Sequence, residues 1–131
     1  MCGPCRAPAD PCLRPSRAGG SLWAEAGRAV IQTFLGAGVH VRMGRMLLSA
    51  FMEAGLGVPT LMEESAIGGG SGYAGYAWLA NTLRSLEPLS RKVGVAAPDL
   101  NGLTERIRDD AVARQLMVWG PPLVGAWATK A

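Results

Sequence analysis

The sequence predicts a partial α/β fold that is mostly helical, with two strands at the edge of a sheet and a helical insertion between them. Two observations carry this prediction. Apolar residues recur at helical spacing in four separate segments. Two extended runs, one near the middle of the chain and one at its end, are typical of strands. With 131 residues, 49% of them hydrophobic, the chain is long enough for one domain or a piece of one.

The clearest pattern is a helix, a glycine and a strand in the middle of the chain. The apolar face of this helix consists of Met43, Met46, Leu47, Ala50, Phe51 and Ala54. Gly55 follows, and glycine adopts the left-handed conformation that ends a helix at no steric cost. The strand predicted from Val58 to Ile67 contains Glu63 and Glu64. Adjacent acids exclude a strand buried on both faces, so this strand is expected near a sheet edge.

Helices are also predicted on either side of this central unit. Leu22 to Leu35 carries apolar residues at helical spacing, and Ser21 can cap its first turn by accepting a hydrogen bond from an N–H. We expect Trp23 to anchor the packing of this helix. Tyr73 to Leu86 is a further predicted helix. Pro88 is expected to kink or stop it, because proline lacks an N–H and clashes with the preceding turn.

The last part of the chain is predicted to form one helix and then two short strands, or one strand bent at prolines. Asn101 is the expected N-cap of the helix. Its apolar face consists of Leu103, Ile107, Ala111 and Gln115. Its solvent-exposed face consists of Arg106, Asp109, Asp110 and Arg114. The strands lie on both sides of Gly120-Pro121-Pro122.

Residues 1–20 differ from the region that follows, residues 21–131. They hold all three cysteines and four of the nine prolines without apolar periodicity, which predicts a disordered tail. The C-x-x-C motif from Cys2 to Cys5 has thioredoxin-like spacing, but no strand precedes it and prolines follow it, so a redox role is disfavoured. The candidate ligands for a zinc site are Cys2, Cys5, Cys12 and His40. The 27 residues between the last two match no compact ligand spacing, so zinc is disfavoured too.

Charge and hydropathy argue against a nucleic-acid or membrane partner. The net charge is +3, but the tail holds three arginines and one aspartate, which leaves residues 21–131 close to neutral. A nearly neutral body has no basic stripe for a phosphate backbone. The uncharged stretch from residue 65 to 83 is rich in glycine, whereas a membrane span needs about 20 mainly apolar residues. Residues 1–20 also lack the apolar segment of a signal peptide, so we expect a cytoplasmic protein.

One glycine motif has two interpretations. Gly70 to Gly75 matches G-x-G-x-x-G, after a predicted strand and before a predicted helix, as a dinucleotide-binding turn requires. That turn also needs a buried parallel strand, and Glu63 and Glu64 lie in the strand concerned. No second strand ending in an acid follows at the expected distance, since Asp99 lies in a predicted loop. A flexible glycine-rich connector is therefore the preferred interpretation.

Several short motifs, taken in order, resemble those of a known family. They are Arg42-Met43-Gly44, residues 51–56, Val58-Pro59, residues 83–89 and residues 120–128. Together they resemble the C-terminal part of class I S-adenosylmethionine-dependent methyltransferases of the small-molecule type. The resemblance covers residues 22–130 and implies a Rossmann-like, seven-stranded sheet whose last two strands pair antiparallel at its edge. Val58 to Ile67 would be the sixth strand and Leu123 to Thr129 the seventh, and the helices between them would cover the substrate.

The resemblance also implies which residues could meet a substrate, and which sites lie elsewhere. The side chains expected to line the substrate are Arg42, Met43, Tyr73, Tyr76 and Trp78. The family binds S-adenosylmethionine at a glycine turn after its first strand, with an acid ending the second, and both precede the part that this chain resembles. No catalytic, cofactor-binding or metal-binding residue is therefore assigned.

Two functions follow as hypotheses. The first is a substrate-covering portion of a methyltransferase, inactive by itself, whose substrate is a small molecule. On this hypothesis the composition of residues 1–20 suits a GC-rich region upstream of a truncated reading frame. The second is a small helical protein-interaction module without catalytic activity. Either one predicts exposed apolar surface, through which the chain could self-associate.

Overall fold

The computed structural model describes residues 20–130 and contains four helices and four short strands. Residues 1–19 lie outside this range, so the structure does not test the disorder predicted for residues 1–20. The same holds for the redox and zinc interpretations, which depend on the cysteines there. The helices are α1 (Leu22–Gly36), α2 (Met43–Glu53), α3 (Gly75–Lys92) and α4 (Leu103–Ala113). The strands are β1 (Thr60–Glu64), β2 (Ile67–Gly68), β3 (Val118–Trp119) and β4 (Leu123–Trp127). The predicted mixed α/β class is confirmed, and the strands form two small antiparallel sheets.

The hydrophobic core lies between α1, α3 and α4. Each of these helices presents an apolar stripe at helical spacing, and burial of the three stripes against one another removes their apolar surface from water. The buried side chains include Ala26, Ala29, Leu79, Ala80, Leu83, Leu103, Ile107 and Ala111. The buried residues of α1 are small, namely Ala26, Ala29 and Thr33, and α1 packs against α3. The core is thus built from the helical insertion and the first helix, away from α2 and the β1–β4 pair.

The two ends of α1 follow the predicted local chemistry. Ala24 N donates to Ser21 Oγ over 3.2 Å, so the predicted N-cap is confirmed. Gly38 takes a left-handed φ of 77°, and Val39 N donates to Phe34 O over 2.9 Å, which satisfies a carbonyl of the last turn. The end of α2 is built in the same way around Gly55, whose φ is 73°.

One charged residue of α4 has a role that the sequence analysis did not predict. Asp110, expected on the solvent-exposed face, is only 25% exposed and accepts a hydrogen bond from Leu22 N over 2.9 Å. Arg114 Nε donates to the same carboxylate over 2.7 Å. Burial acts to raise the pKa of Asp110, but the hydrogen bonds from Leu22 and Arg114 and the charge of Arg114 outweigh it and lower the pKa. The carboxylate therefore ties α4 to the N-terminus of α1.

The predicted stop of α3 at Pro88 is wrong, because the helix continues to Lys92. Leu83 and Ser90 on either side of the proline are both buried, and this tertiary packing holds the helical conformation across it. The chain turns instead just beyond Lys92, at Gly94, whose φ is 74°. Val95 N then donates to Ser90 O over 2.9 Å.

Both ends of α4 also differ from prediction. The N-cap is Gly102, in the left-handed region with a φ of 56°, and Asn101 N instead donates to Asp99 Oδ1 over 3.1 Å. Gln115 was expected on the apolar face, but α4 ends before it and its side chain is exposed. Its φ of 52° reverses the chain, so that Leu116 takes the buried position.

The strands form two separate antiparallel pairs. β1 pairs with β4 in a register that places Met62 opposite Gly125, and β2 pairs with β3. The single strand predicted from Val58 to Ile67 is therefore divided between the two pairs. All five residues of β1 are exposed, as the adjacent acids predicted.

Helix α2 packs on β4 but buries none of its own residues. Gly44 makes the closest approach, since a Cβ at this position would lie 2.8 Å from Val124 Cγ2. Met43, Met46 and Ala54, which were predicted on the packed apolar face, are exposed to solvent. The face that meets β4 thus lies to one side of the predicted one. No helix within residues 20–130 has the length and apolar character needed to cross a bilayer.

Candidate functional site

The glycine-rich run before α3 forms a close-fitting support for Tyr73. A Cβ on Gly68 would overlap one edge of the Tyr73 ring, and a Cβ on Gly75 would overlap the other. A Cβ on Gly69 would lie 3.0 Å from Leu116 O. Gly68 and Gly75 are therefore required by contact with Tyr73, whereas Gly70 and Gly72 have open space around them. The connector is packed at both ends, which its interpretation as a flexible segment did not predict.

The same run does not have the geometry of a dinucleotide-binding turn. The strand before it, β2, has two residues and pairs antiparallel with β3. A dinucleotide-binding turn follows a buried parallel strand and directs the N–H groups of the next helix at a pyrophosphate. The described residues of this run therefore do not fit a dinucleotide cofactor, and we assign none of them to such a site.

Three aromatic rings meet beside this run. The ring centroids of Tyr73 and Tyr76 are 5.4 Å apart at 89°, and those of Trp23 and Tyr76 are 6.1 Å apart at 85°. Both pairs have the edge-to-face geometry that the aromatic quadrupole favours. Tyr76 is 1% exposed, and its hydroxyl has no hydrogen-bond partner among the described residues. Burial raises the pKa of Tyr76, and the neighbouring Tyr73 adds to this effect.

The structure separates the five residues predicted to line a substrate into three groups. Tyr73 and Tyr76 lie together, with Tyr76 in the core and Tyr73 partly exposed. Arg42 and Met43 lie at the start of α2, both exposed. Trp78 lies on α3 with about half of its side chain exposed. Tyr76 thus has the surroundings of a packing residue, and Trp23 is confirmed as a packing anchor.

Two grooves elsewhere on the surface are lined by other residues. The first, of about 660 Å³, runs along the second half of α3 and includes Arg84, Glu87, Arg91 and Asp99. Its charged side chains already have partners, since Arg91 pairs with Glu87, Asp99 pairs with Arg106 and Arg84 donates a hydrogen bond to Asn81 Oδ1. The second, of about 550 Å³, lies between the glycine-rich run and α4 and is mainly apolar. Within residues 20–130 there is no cluster of three or more histidine, cysteine or acidic side chains that could hold a metal.

The most distinctive surface is the face of the β1–β4 pair that points away from α2. Side chains alternate along a strand, and Val124 points at α2, so Leu123 and Trp127 point the other way. Met62 lies opposite Gly125 on that same face. Leu123, Met62 and Trp127 are 69%, 55% and 52% exposed, and we call these three residues the sheet surface.

The two strands of this pair also differ at their edges. Within residues 20–130, β4 pairs with β1 alone, so each strand has one open edge. β1 ends in Glu63 and Glu64, whereas β4 has the sequence Leu-Val-Gly-Ala-Trp and carries no charge. Charged residues are a common feature of strands that end a sheet, because they oppose pairing with another chain. The composition of β1 is therefore typical of an outer strand, and that of β4 is typical of an inner strand.

The sequence signal for this surface was weak. Strand-like runs were detected at both places, but alternation within a five-residue strand does not reveal which strand is its partner. The chain matches no known family model, no curated protein and no solved structure.

Proposed function

We propose that this chain is the C-terminal, substrate-covering portion of an S-adenosylmethionine-dependent methyltransferase with a Rossmann-like sheet, and that it is inactive by itself. The observation that carries the proposal is the arrangement of α2, β1 and β4. α2 leads into β1 and packs on β4, β1 and β4 pair antiparallel, and α3 and α4 lie between them in sequence. The family resemblance implies this relation for the helix before the sixth strand, the sixth and seventh strands and the insertion.

The exposed sheet surface supports the same proposal. A two-stranded sheet is marginal by itself in water and needs further strands or a helix packed on it. α2 packs on one face of the β1–β4 pair, and the other face is left open. The β1–β4 pair has two strands, of which β4 is uncharged, and the face turned away from α2 exposes Leu123, Met62 and Trp127 beside Thr60 and Glu64. These are the features expected of a sheet margin whose remaining strands and covering helices belong to another part of a domain.

The proposed contribution of this chain to catalysis is to position and cover the substrate. S-adenosylmethionine supplies an electrophilic methyl group when bound, and the part of the domain that holds it would lie outside the described residues. Alignment of donor and acceptor is a large share of what such an enzyme provides. We place Arg42, Met43, Tyr73 and Trp78 among the residues that reach a small-molecule substrate, since all four are at least partly exposed. Tyr76 would act indirectly, by holding Tyr73 through their ring contact.

A fusion protein tests the proposal. The N-terminal, cofactor-binding half of a class I methyltransferase is joined to residues 22–131, and methyl transfer is measured for the fusion and for the isolated chain. We expect activity from the fusion alone. Arg42→Ala should lower kcat/KM with an unchanged Tm, because this side chain is exposed. Tyr76→Phe is the matched control, and it should leave kcat/KM unchanged because it removes only a buried hydroxyl without a partner.

Two results would contradict the proposal. One is a folded fusion that binds S-adenosylmethionine but transfers no methyl group to the substrate of the parent enzyme. The other is micromolar binding of S-adenosylmethionine to the isolated chain, which would restore Gly70–Gly75 as a cofactor-binding turn.

The exposed side chains of α2 favour a second candidate function, a helical protein-interaction module. Four large apolar side chains on this helix are at least 44% exposed: Met43 and Met46 on one side of the face that packs on β4, and Leu48 and Met52 on the other side. Exposed methionines suit protein contacts because the side chain adapts to different partners. On this alternative, Met46→Lys would abolish binding of a protein partner, and the fusion described above would have no activity.

A further inference from the structure

The open edge of β4 is complementary to a second copy of itself. In an antiparallel pair of two β4 strands centred on Gly125, Leu123 of one copy lies opposite Trp127 of the other. Val124 lies opposite Ala126 in the same register, and no pair includes a charge. A Cβ added at Gly125 would meet no atom within 4 Å, so the centre of the pair is not crowded.

The edge of β1 is unsuited to the same interaction. Two β1 strands paired in this way would bring Glu63 and Glu64 from each copy into one ladder. Neighbouring like charges destabilise a strand pair and oppose edge-to-edge association. The difference in charge thus selects β4 as the associating edge.

We propose that a second copy of this chain pairs with β4 about a two-fold axis at Gly125. The product is a four-stranded sheet in the order β1, β4, β4 and β1, with the glutamate-bearing strands on the outside. This gives the sheet more than the two strands of one chain, and it joins the sheet surfaces of both copies into one apolar stripe. The dimer goes beyond the proposed function and does not depend on it. In a complete methyltransferase domain the same edge would be covered by the rest of the sheet.

The extent of the contact sets the expected affinity. Each copy contributes one five-residue strand edge, and of the sheet surface only Leu123 and Trp127 lie on the pairing strand, because Met62 belongs to β1. This is a smaller contact than the standard interface of about 1,200–2,000 Å² in stable complexes. We therefore expect a reversible dimer whose population rises with concentration across the micromolar range.

The register provides a specific test by charge exchange. In the proposed dimer, position 123 of each copy lies opposite position 127 of the other, which makes two such pairs. Leu123→Lys combined with Trp127→Lys puts two positive charges in each pair. Leu123→Lys combined with Trp127→Glu puts one positive and one negative charge in each pair. Within one chain, both variants put Leu123→Lys opposite Glu64 and change Trp127 opposite the uncharged Thr60, so the two monomers differ only in the charge at position 127. Leu35→Lys, at a 56% exposed position on α1, is the control for general loss of apolar surface.

Sedimentation equilibrium of the full chain from roughly 1 to 200 µM gives the readout. We expect the unmodified chain, Leu35→Lys and the opposite-charge variant to approach twice the 13.7 kDa of one chain at high concentration. The like-charge variant should stay monomeric, with a helical circular dichroism spectrum that shows it is folded. A monomeric unmodified chain would overturn the proposal, and so would equal association of the two double variants.

A cross-linking variant keeps the proposal testable if the charged variants do not fold. Gly125→Cys is introduced into the full chain with Cys2, Cys5 and Cys12 replaced by serine. Because Gly125 lies on the proposed two-fold axis, a short thiol cross-linker should give a covalent dimer. Gly57→Cys, at a turn outside the sheet, should give none. Equal cross-linking at both positions, or none at position 125, would contradict the pairing.

Discussion

Asp110→Asn is expected to lower the free energy of unfolding by about 1 kcal/mol, because it weakens the tie between α4 and the start of α1. The amide oxygen can still accept the hydrogen bond from Leu22 N. The charge that this helix N-terminus favours is lost, however, and such a charge contributes about 0.3–1 kcal/mol. The pair with Arg114 is also lost, which adds about 0.2–1 kcal/mol because both side chains are partly exposed.

Asp109→Asn is the matched control for this change. Asp109 is the adjacent residue on α4, but its side chain is 69% exposed and pairs only with Arg108 at the surface. We expect urea unfolding at pH 7 to show a lower midpoint for Asp110→Asn and an unchanged midpoint for Asp109→Asn. Equal midpoints for the two variants would refute the assigned role of Asp110.

The difference in free energy of unfolding between the unmodified chain and Asp110→Asn should depend on pH, in the sense set by the direction of the pKa shift of Asp110. The pKa of Asp110 is lower in the folded chain than in the unfolded chain, so the carboxylate stabilises the fold while it is ionised in both states. This stabilisation is complete at pH 7, and it is lost as the pH falls below about 4 and through the folded pKa. The difference between the unmodified chain and Asp110→Asn should therefore shrink below about pH 4. A difference that grows there would contradict the reasoning.

Four further changes have predicted outcomes. Gly44→Ala should destabilise the chain by about 1 kcal/mol, because crowding of Val124, at about 1–3 kcal/mol, outweighs the gain of about 1 kcal/mol in helix propensity. Gly27→Ala, with open space around it, should stabilise α1 by about 1 kcal/mol, and thermal unfolding of both variants checks this contrast. Gln115→Gly should raise the Tm, because it relieves a left-handed conformation worth about 1 kcal/mol; a lower Tm would contradict it. Deletion of residues 1–20 should leave helical circular dichroism and Tm nearly unchanged, and a large loss of helix would show that the tail is structural.

The helices could be predicted from sequence because their signals are local. Ser21 as N-cap and Gly55 as the residue that ends α2 depend only on backbone geometry within one turn, and both were found. Pro88 and Gln115 gave wrong boundaries because packing decided them. The burial of Leu83 and Ser90 holds α3 past the proline, and the burial of Leu116 forces Gln115 into a left-handed conformation.

Long-range contacts could not be predicted in the same way. Leu22 and Asp110 are 88 positions apart, and the charge pattern of α4 does not reveal that one carboxylate caps another helix. Gly68 and Gly75 looked like a spacer because the sequence does not show that Tyr73 folds back between them. The candidate site residues were chosen by resemblance, and Tyr76 proved to be core because aromatic residues at helical spacing serve packing as readily as binding.

Amide hydrogen exchange in the fusion protein tests the central claim most directly, namely that this chain is the edge of a larger methyltransferase sheet. The measurement uses a monomeric fusion that binds S-adenosylmethionine, and it compares β4 with β1 in the same molecule. If β4 is an inner strand, all of its amides are protected, whereas every second amide of β1 exchanges rapidly at the open outer edge. Rapid exchange at alternate amides of β4 would show that no strand joins it, and would contradict the account.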